Sequence, residues 1–204
     1  MSEAVPNLSQ RAAARRQQIL DAACDCVRRA GFHGASMAEI AHAAGLSVGQ
    51  IYRYFENKEA IIAAIVAQDL ADMRARFAEL TESGDPLVDA VIDRCAEALD
   101  KNFEPDRVAL ILEVMAEAAR NPQVAAIVQD ADTVERQLVL RVLDHARSLG
   151  CGEAELAARG EVLSMIYDGM LTRAVNNPGA DRTEIVRVLR AVLERILTSP
   201  PLTS

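Results

Sequence analysis

A chain of 204 residues, half of them apolar and a quarter charged, is long enough to bury one large core or two small ones and lacks the composition of a disordered segment. No apolar run approaches the roughly 20 residues of a membrane span, and the start, MSEAVPNLSQ, has neither the basic nor the apolar segment of a signal peptide, so a cytoplasmic home and no membrane partner are expected. The net charge of −8 argues against a nucleic-acid partner only until its distribution is read: residues 8–58 hold seven basic side chains against four acidic, and residues 61–204 hold 15 against 24.

Such a basic head on an acidic body suits a protein that touches phosphates with one end. Residues 1–9 are expected to be a flexible N-terminus. A helix follows from about residue 10 to 30, burying Ile19, Leu20, Ala23, Cys24, Val27 and Ala30. Arg11, Arg15 and Arg16 oppose its dipole by a few tenths of a kcal/mol each, which points either to phosphate contact or to ordinary solvated arginines. Gly31 ends the helix, Phe32 packs inward and His33 lies in a loop as a surface or capping residue.

Ser36 and Glu39 have the spacing of a capping box, opening a short helix whose small apolar face is Ile40, Ala41 and Ala44. Gly45 allows the positive φ that reverses the chain, and Leu46 fills the corner. Ser47 caps a second helix with Ile51 and Phe55 inward, leaving Val48, Gln50, Tyr52, Arg53 and Tyr54 outward or sideways. Ala41, Ala44 and Gly49 are small enough for the steep crossing of a helix-turn-helix.

A linking helix covers residues 59–82, with Ile61, Ile62, Ile65, Val66, Leu70, Met73 and Phe77 at helical spacing. Ser83-Gly84-Asp85-Pro86 breaks it, and Val88, Val91, Ile92, Cys95 and Leu99 mark the next helix. Further helices are expected over about 107–120, 123–149, 153–177 and 181–198. No segment alternates with period two. The fold class is therefore all-α, with about nine helices: a helix-turn-helix domain at residues 10–58 and a helical body at 83–204.

The run Ile40-Ala41, Ala44-Gly45-Leu46-Ser47, Gly49, Ile51-Tyr52, Tyr54-Phe55 and Lys58-Glu59, preceded by Ile19-Leu20, Ala22-Ala23 and Gly31-Phe32, resembles the DNA-binding domain of the TetR/AcrR family of transcriptional regulators. The resemblance implies a ligand-responsive homodimeric repressor, released by a small molecule from a double-stranded, palindromic operator. By matching positions, Ser36, Met37, Ser47, Val48, Gly49, Gln50, Tyr52, Arg53, Tyr54 and Lys58 are the candidate DNA-binding residues. Val48 offers a methyl to thymine and Gln50 a hydrogen bond to a base edge.

The family pattern also puts a dimer interface on the last two helices, here Met170 with the stripe Ile185, Val188, Leu189, Val192, Leu193 and Ile196, and an effector pocket between about Pro86 and Thr172. Val91, Cys95, Leu99, Ile111, Met115, Met165 and Tyr167 would make an aliphatic, sulfur-rich wall, or simply core. Only Phe103 and Tyr167 of the seven aromatic residues follow Phe77, so an aliphatic or flexible effector fits better than a planar one. Asp93, Glu113 and Asp168 could neutralise a cation. Asp168 is favoured for its apolar neighbours, whereas Glu113 falls on the stripe Asp106, Glu113, Glu117 and Arg120, which reads as a solvated face.

His33, His42 and His145 are far apart, and no phosphate loop or nucleophile elbow is present. No enzymatic activity, metal or cofactor is expected. Cys151, between two glycines, is expected to be exposed and oxidisable, which leaves a thiol sensor as one alternative. An activator on the same scaffold, or a helical interaction protein that has lost its DNA, are others.

Overall fold

The computed structural model describes residues 8–82, 93, 104–147 and 149–202. Among these every regular element is a helix: α1 (Leu8–Gly34), α2 (Met37–Ala43), α3 (Val48–Ile51), α4 (Lys58–Glu82), α5 (Pro105–Ala118), α6 (Pro122–Arg147), α7 (Glu153–Asn176) and α8 (Arg182–Thr198). The helix expected after Pro86, with Val91, Cys95 and Leu99, lies outside the described residues.

Helix ends follow local chemistry. Gly31, at φ 72° and ψ 170°, interrupts α1, so the regular part stops at Ala30. Asn57 Oδ1 accepts from Ala60 N at 2.7 Å ahead of α4, and Asp181 accepts from Thr183 N and Glu184 N at 3.0 and 3.3 Å to start α8. Pro122 opens α6, where its missing N–H costs nothing.

The chain forms two compact units, each made of two stretches of sequence. The first contains residues 1–68 together with 109–128, and the second residues 69–108 with 129–204. In the first, Ile19, Ala23, Val27, Phe32, Ile40, Ala41, Ile51, Phe55, Ile61 and Ile62 form the core of the head, and Val114 and Val124 join it from α5 and α6. The second core gathers Val142, Leu143, Leu156, Leu193 and Leu197, with Phe77, Val139, Leu163 and Leu189 packed against it.

Among the described residues, each unit buries one charged side chain. Glu117, expected on a solvated face, is only 2% exposed. It falls one helical turn from Val114 on the apolar stripe of α5, so the stripe carries it inward. Its carboxylate accepts from Arg120 Nε at 2.8 Å and Asn121 Nδ2 at 3.0 Å, and His33 Nε2 is 3.3 Å away. Burial pushes its carboxyl up, but the hydrogen bonds from Asn121 and Arg120 and the charges of His33 and Arg120 hold it below the ordinary 4.5. Glu113 is likewise engaged, since its Oε2 accepts from Phe32 N at 3.1 Å.

In the second unit Arg159 is 7% exposed. It pairs with Glu155 at 2.7 Å and donates to the carbonyls of Ile196 at 2.7 Å and Pro200 at 3.0 Å, while Glu155 accepts from Leu202 N at 3.2 Å. Cys151 lies in this clasp, its Sγ 3.9 Å from Glu155 Oε1 and from Ser199 O. Its expected exposure is thus corrected: the thiol is buried, because the chain after α8 folds over it.

Candidate nucleic-acid interface

The head is built from reciprocal caps. Ser36 Oγ accepts from Glu39 N at 3.2 Å while Glu39 returns an acceptor to Ser36 N at 2.8 Å. The Ser36 backbone N–H, then the Ser36 hydroxyl, lower the Glu39 pKa and keep it anionic at the positive end of α2. Between α2 and α3, Gly45 sits at φ 63°, with Gly45 N donating to His42 O at 3.0 Å and Leu46 N to Ala41 O at 2.8 Å, a Schellman turn. A second capping box, unforeseen although Ser47-x-x-Gln50 spells it, opens α3: Ser47 Oγ accepts from Gln50 N at 3.3 Å and Gln50 Oε1 from Ser47 N at 2.9 Å.

Helix α1 braces this pair. Gln18 Nε2 donates to Ala44 O at 2.6 Å, and Arg16 donates to Tyr54 O at 3.3 Å while its guanidinium lies 4.2 Å above the Phe55 ring. Lys58 Nζ donates to Phe32 O and lies 4.0 Å above the Phe32 ring. Phe32 is thus held at its amide by Glu113, and at its carbonyl and ring by Lys58.

Of the ten candidate DNA-binding residues, Ser36, Ser47, Val48, Gly49, Gln50, Tyr52 and Arg53 are exposed. Met37 and Tyr54 are partly buried and pack against the head's core, and Lys58 is half-buried under its two Phe32 contacts. Gly49 corrects one expectation: a Cβ there would meet nothing within 4 Å, so its smallness does not serve the crossing of α2 and α3. Ala41 and Ala44 are buried and do serve it.

The effector candidates scatter. Ile111 and Met115 belong to the first unit and Met165, Tyr167 and Asp168 to the second. Met115 and Met165 are 47% and 60% exposed, so neither forms a closed wall within its unit. Tyr167 is set among polar groups. Burial raises its pKa, with Arg107 opposing and Glu135 and Asp69 adding to the rise. Burial first, then Asp132, Asp168 and Asp69, raises that of Glu135. Asp168 is exposed rather than ringed by apolar groups, and burial with Asp132 and Glu161 moves its pKa up. Arg107 Nη1 lies 3.4 Å from Asp69, and its buried Nε has no hydrogen-bond partner. Asp93 pairs with Arg190.

The dimer candidates split in two. Leu193 is buried in the second core and Leu189 packs against it. The reason is angular: at 100° per residue, Leu189, Leu193 and Leu197 line up inward while Ile185, Val188 and Val192 lie on the neighbouring strip. Those three remain exposed, Val188 by 53%, and Met170 and Ile196 are partly buried. Among the described residues there is no group of side chains able to hold a metal and no helix long and apolar enough to cross a membrane.

Two short capped helices joined by a tight turn, braced from behind and presenting an open polar face, define a helix-turn-helix DNA-binding protein. Residues 19–65 match the family of bacterial regulatory proteins described as tetR, and residues 88–198 match the C-terminal region of BetI-type transcriptional repressors. The chain is 31% identical over 198 residues to the HTH-type transcriptional regulator UidR of Escherichia coli K12, covering 95% of this chain and 98% of that one. It is 27% identical to the HTH-type transcriptional repressor AcnR of Corynebacterium diphtheriae, over 92% and 94% of the two chains. Among solved structures, Salmonella enterica GusR superposes with a TM-score of 0.77 at 28% identity, over 91% and 96% of the chains. The chain belongs to the TetR family: it is a DNA-binding transcriptional regulator and not an enzyme.

Proposed function

We propose that the protein is a cytoplasmic homodimeric repressor that places α3 of each copy in the major groove of a palindromic operator and leaves it when a small molecule binds the body. The observation that carries the proposal is the open face of α3, where Ser47, Val48, Gly49, Gln50, Tyr52 and Arg53 are exposed around a glycine at which an added Cβ would meet nothing within 4 Å. A glycine in a helix costs about 0.5–1 kcal/mol relative to alanine, and a close DNA backbone or base edge accounts for it. Ser36, Tyr52, Tyr54 and Lys58 serve as phosphate contacts, Lys58 through the ammonium hydrogens that Phe32 leaves over, and Met37 reaches the DNA beside them.

The exposed strip Ile185, Val188 and Val192, with Val162, Met165 and Val175 of α7, supports a twofold partner. Twofold symmetry sets two readers about 34 Å apart, one turn of DNA. The effector is small and flexible or aliphatic, and Tyr167 with its neighbours Arg107 and Glu135 offers it a polar anchor.

The test is Gly49→Leu. Because a side chain there meets only open space, the melting midpoint should hold or rise, while affinity for the operator falls at least about tenfold in a mobility-shift titration, the value of one lost close contact. Full affinity with an intact fold would remove α3 from the groove. Lys58→Ala should weaken binding to every sequence and flatten the dependence of log K on log salt by about one unit.

A further inference from the structure

We infer that Gln50 reads its base through the amide N–H groups alone and so selects guanine over adenine, an inference that rests on the DNA-reading role proposed for α3. A free glutamine amide pairs with adenine in two places, donating to N7 and accepting from N6. That mode requires an uncommitted carbonyl oxygen. Here Oε1 accepts from the Ser47 backbone N–H at 2.9 Å, and the Ser47 hydroxyl accepts in return from Gln50 N at 3.3 Å.

The orientation of the amide follows from its partner. A backbone N–H can only donate, so the atom facing Ser47 is oxygen and the NH2 group points away. Freeing the oxygen would strand the Ser47 backbone N–H and undo one half of the box that holds the start of a helix of four residues. What Gln50 offers outward is therefore a pair of donors, and guanine presents two adjacent acceptors, O6 and N7, in the major groove. Gly49 beside it adds no side chain that would hold the amide off the base.

The experiment is selection from a random duplex library by the full-length protein and by Gln50→Glu. Glutamate keeps the acceptor that caps Ser47 and replaces the outward donor by an acceptor, so the helix persists and only the readable edge changes. At the position where the two enriched pools differ, the wild type should carry guanine and Gln50→Glu cytosine on the same strand, whose N4 amino group donates. Changing that guanine to adenine should weaken the wild type roughly 5- to 150-fold, the range of one good base contact. Adenine at that position in the wild-type pool, or identical pools from the two proteins, would overturn the inference alone. Failure of the wild type to enrich any sequence would overturn it together with the DNA-reading role.

Discussion

Replacing Glu117 with alanine is expected to lower the stability of the first unit by about 2–4 kcal/mol, read from the loss of amide-exchange protection in α1 and α5. Two effects add. The truncation leaves a void in a packed site, and it leaves the half-buried Asn121 without the acceptor 3.0 Å away. Arg120 and His33 are exposed enough to turn to water, which keeps the cost below that of a fully buried pair. Glu117→Gln separates volume from charge. Since the folded carboxyl titrates below the ordinary 4.5, the charge stabilises fully above that value, and the contribution is lost as pH falls through the lower folded value. The glutamine variant should lose this acid-side decline and retain most of the packing; an unchanged acid profile would show that the charge contributes nothing.

The second large effect is expected from Arg159→Ala, which should lower the melting midpoint by on the order of 10 °C at fixed protein concentration. One guanidinium here serves Glu155, Ile196 O and Pro200 O together, and the first two contacts are both 2.7 Å. Removing it orphans the Ile196 carbonyl of α8 and the Pro200 carbonyl beyond it, and releases the chain after Ser199. Lysine should restore little, because a single ammonium on a flexible stem lacks the fork that reaches three acceptors. Cys151 provides an independent check: buried under the same segment, it should react with a thiol reagent markedly faster in Arg159→Ala than in the wild type. Equal rates would mean that Arg159 does not hold the segment closed.

Much of the head was legible because its signals are local. Ser36 with Glu39, Gly45, and Ile51 with Phe55 specify caps, a reversal and an inward face within a few residues of one another. Glu117 and Arg159 were misjudged or passed over because charge was allowed to outweigh position. Leu110, Val114, Glu117 and Ala118, like Leu156, Arg159, Gly160 and Leu163, follow the i, i+4, i+7 or i, i+3, i+4 spacing of a buried stripe. Charged members of such a stripe are buried with partners, and their partners come from far along the chain. The apolar stripe of α8 covers two environments, one buried and one exposed, and sequence spacing does not reveal where one ends. The effector residues were least legible, since core and pocket walls use the same side chains and only their partners distinguish them.

The interleaving of the first unit bears on how such regulators can be recombined. Residues 109–128 contribute Val114 and Val124 to the core of the head and, through Glu113 and Glu117, hold Phe32 and His33. A chimera that joins this head to another body at a cut near residue 68 would leave behind part of its own interior. Grafting must carry both stretches of chain, or import from the donor body residues that fit Phe32 equally well. The head is a module in space but not in sequence, and exchange of specificity among relatives is easiest at the open face of α3, where substitution disturbs no core.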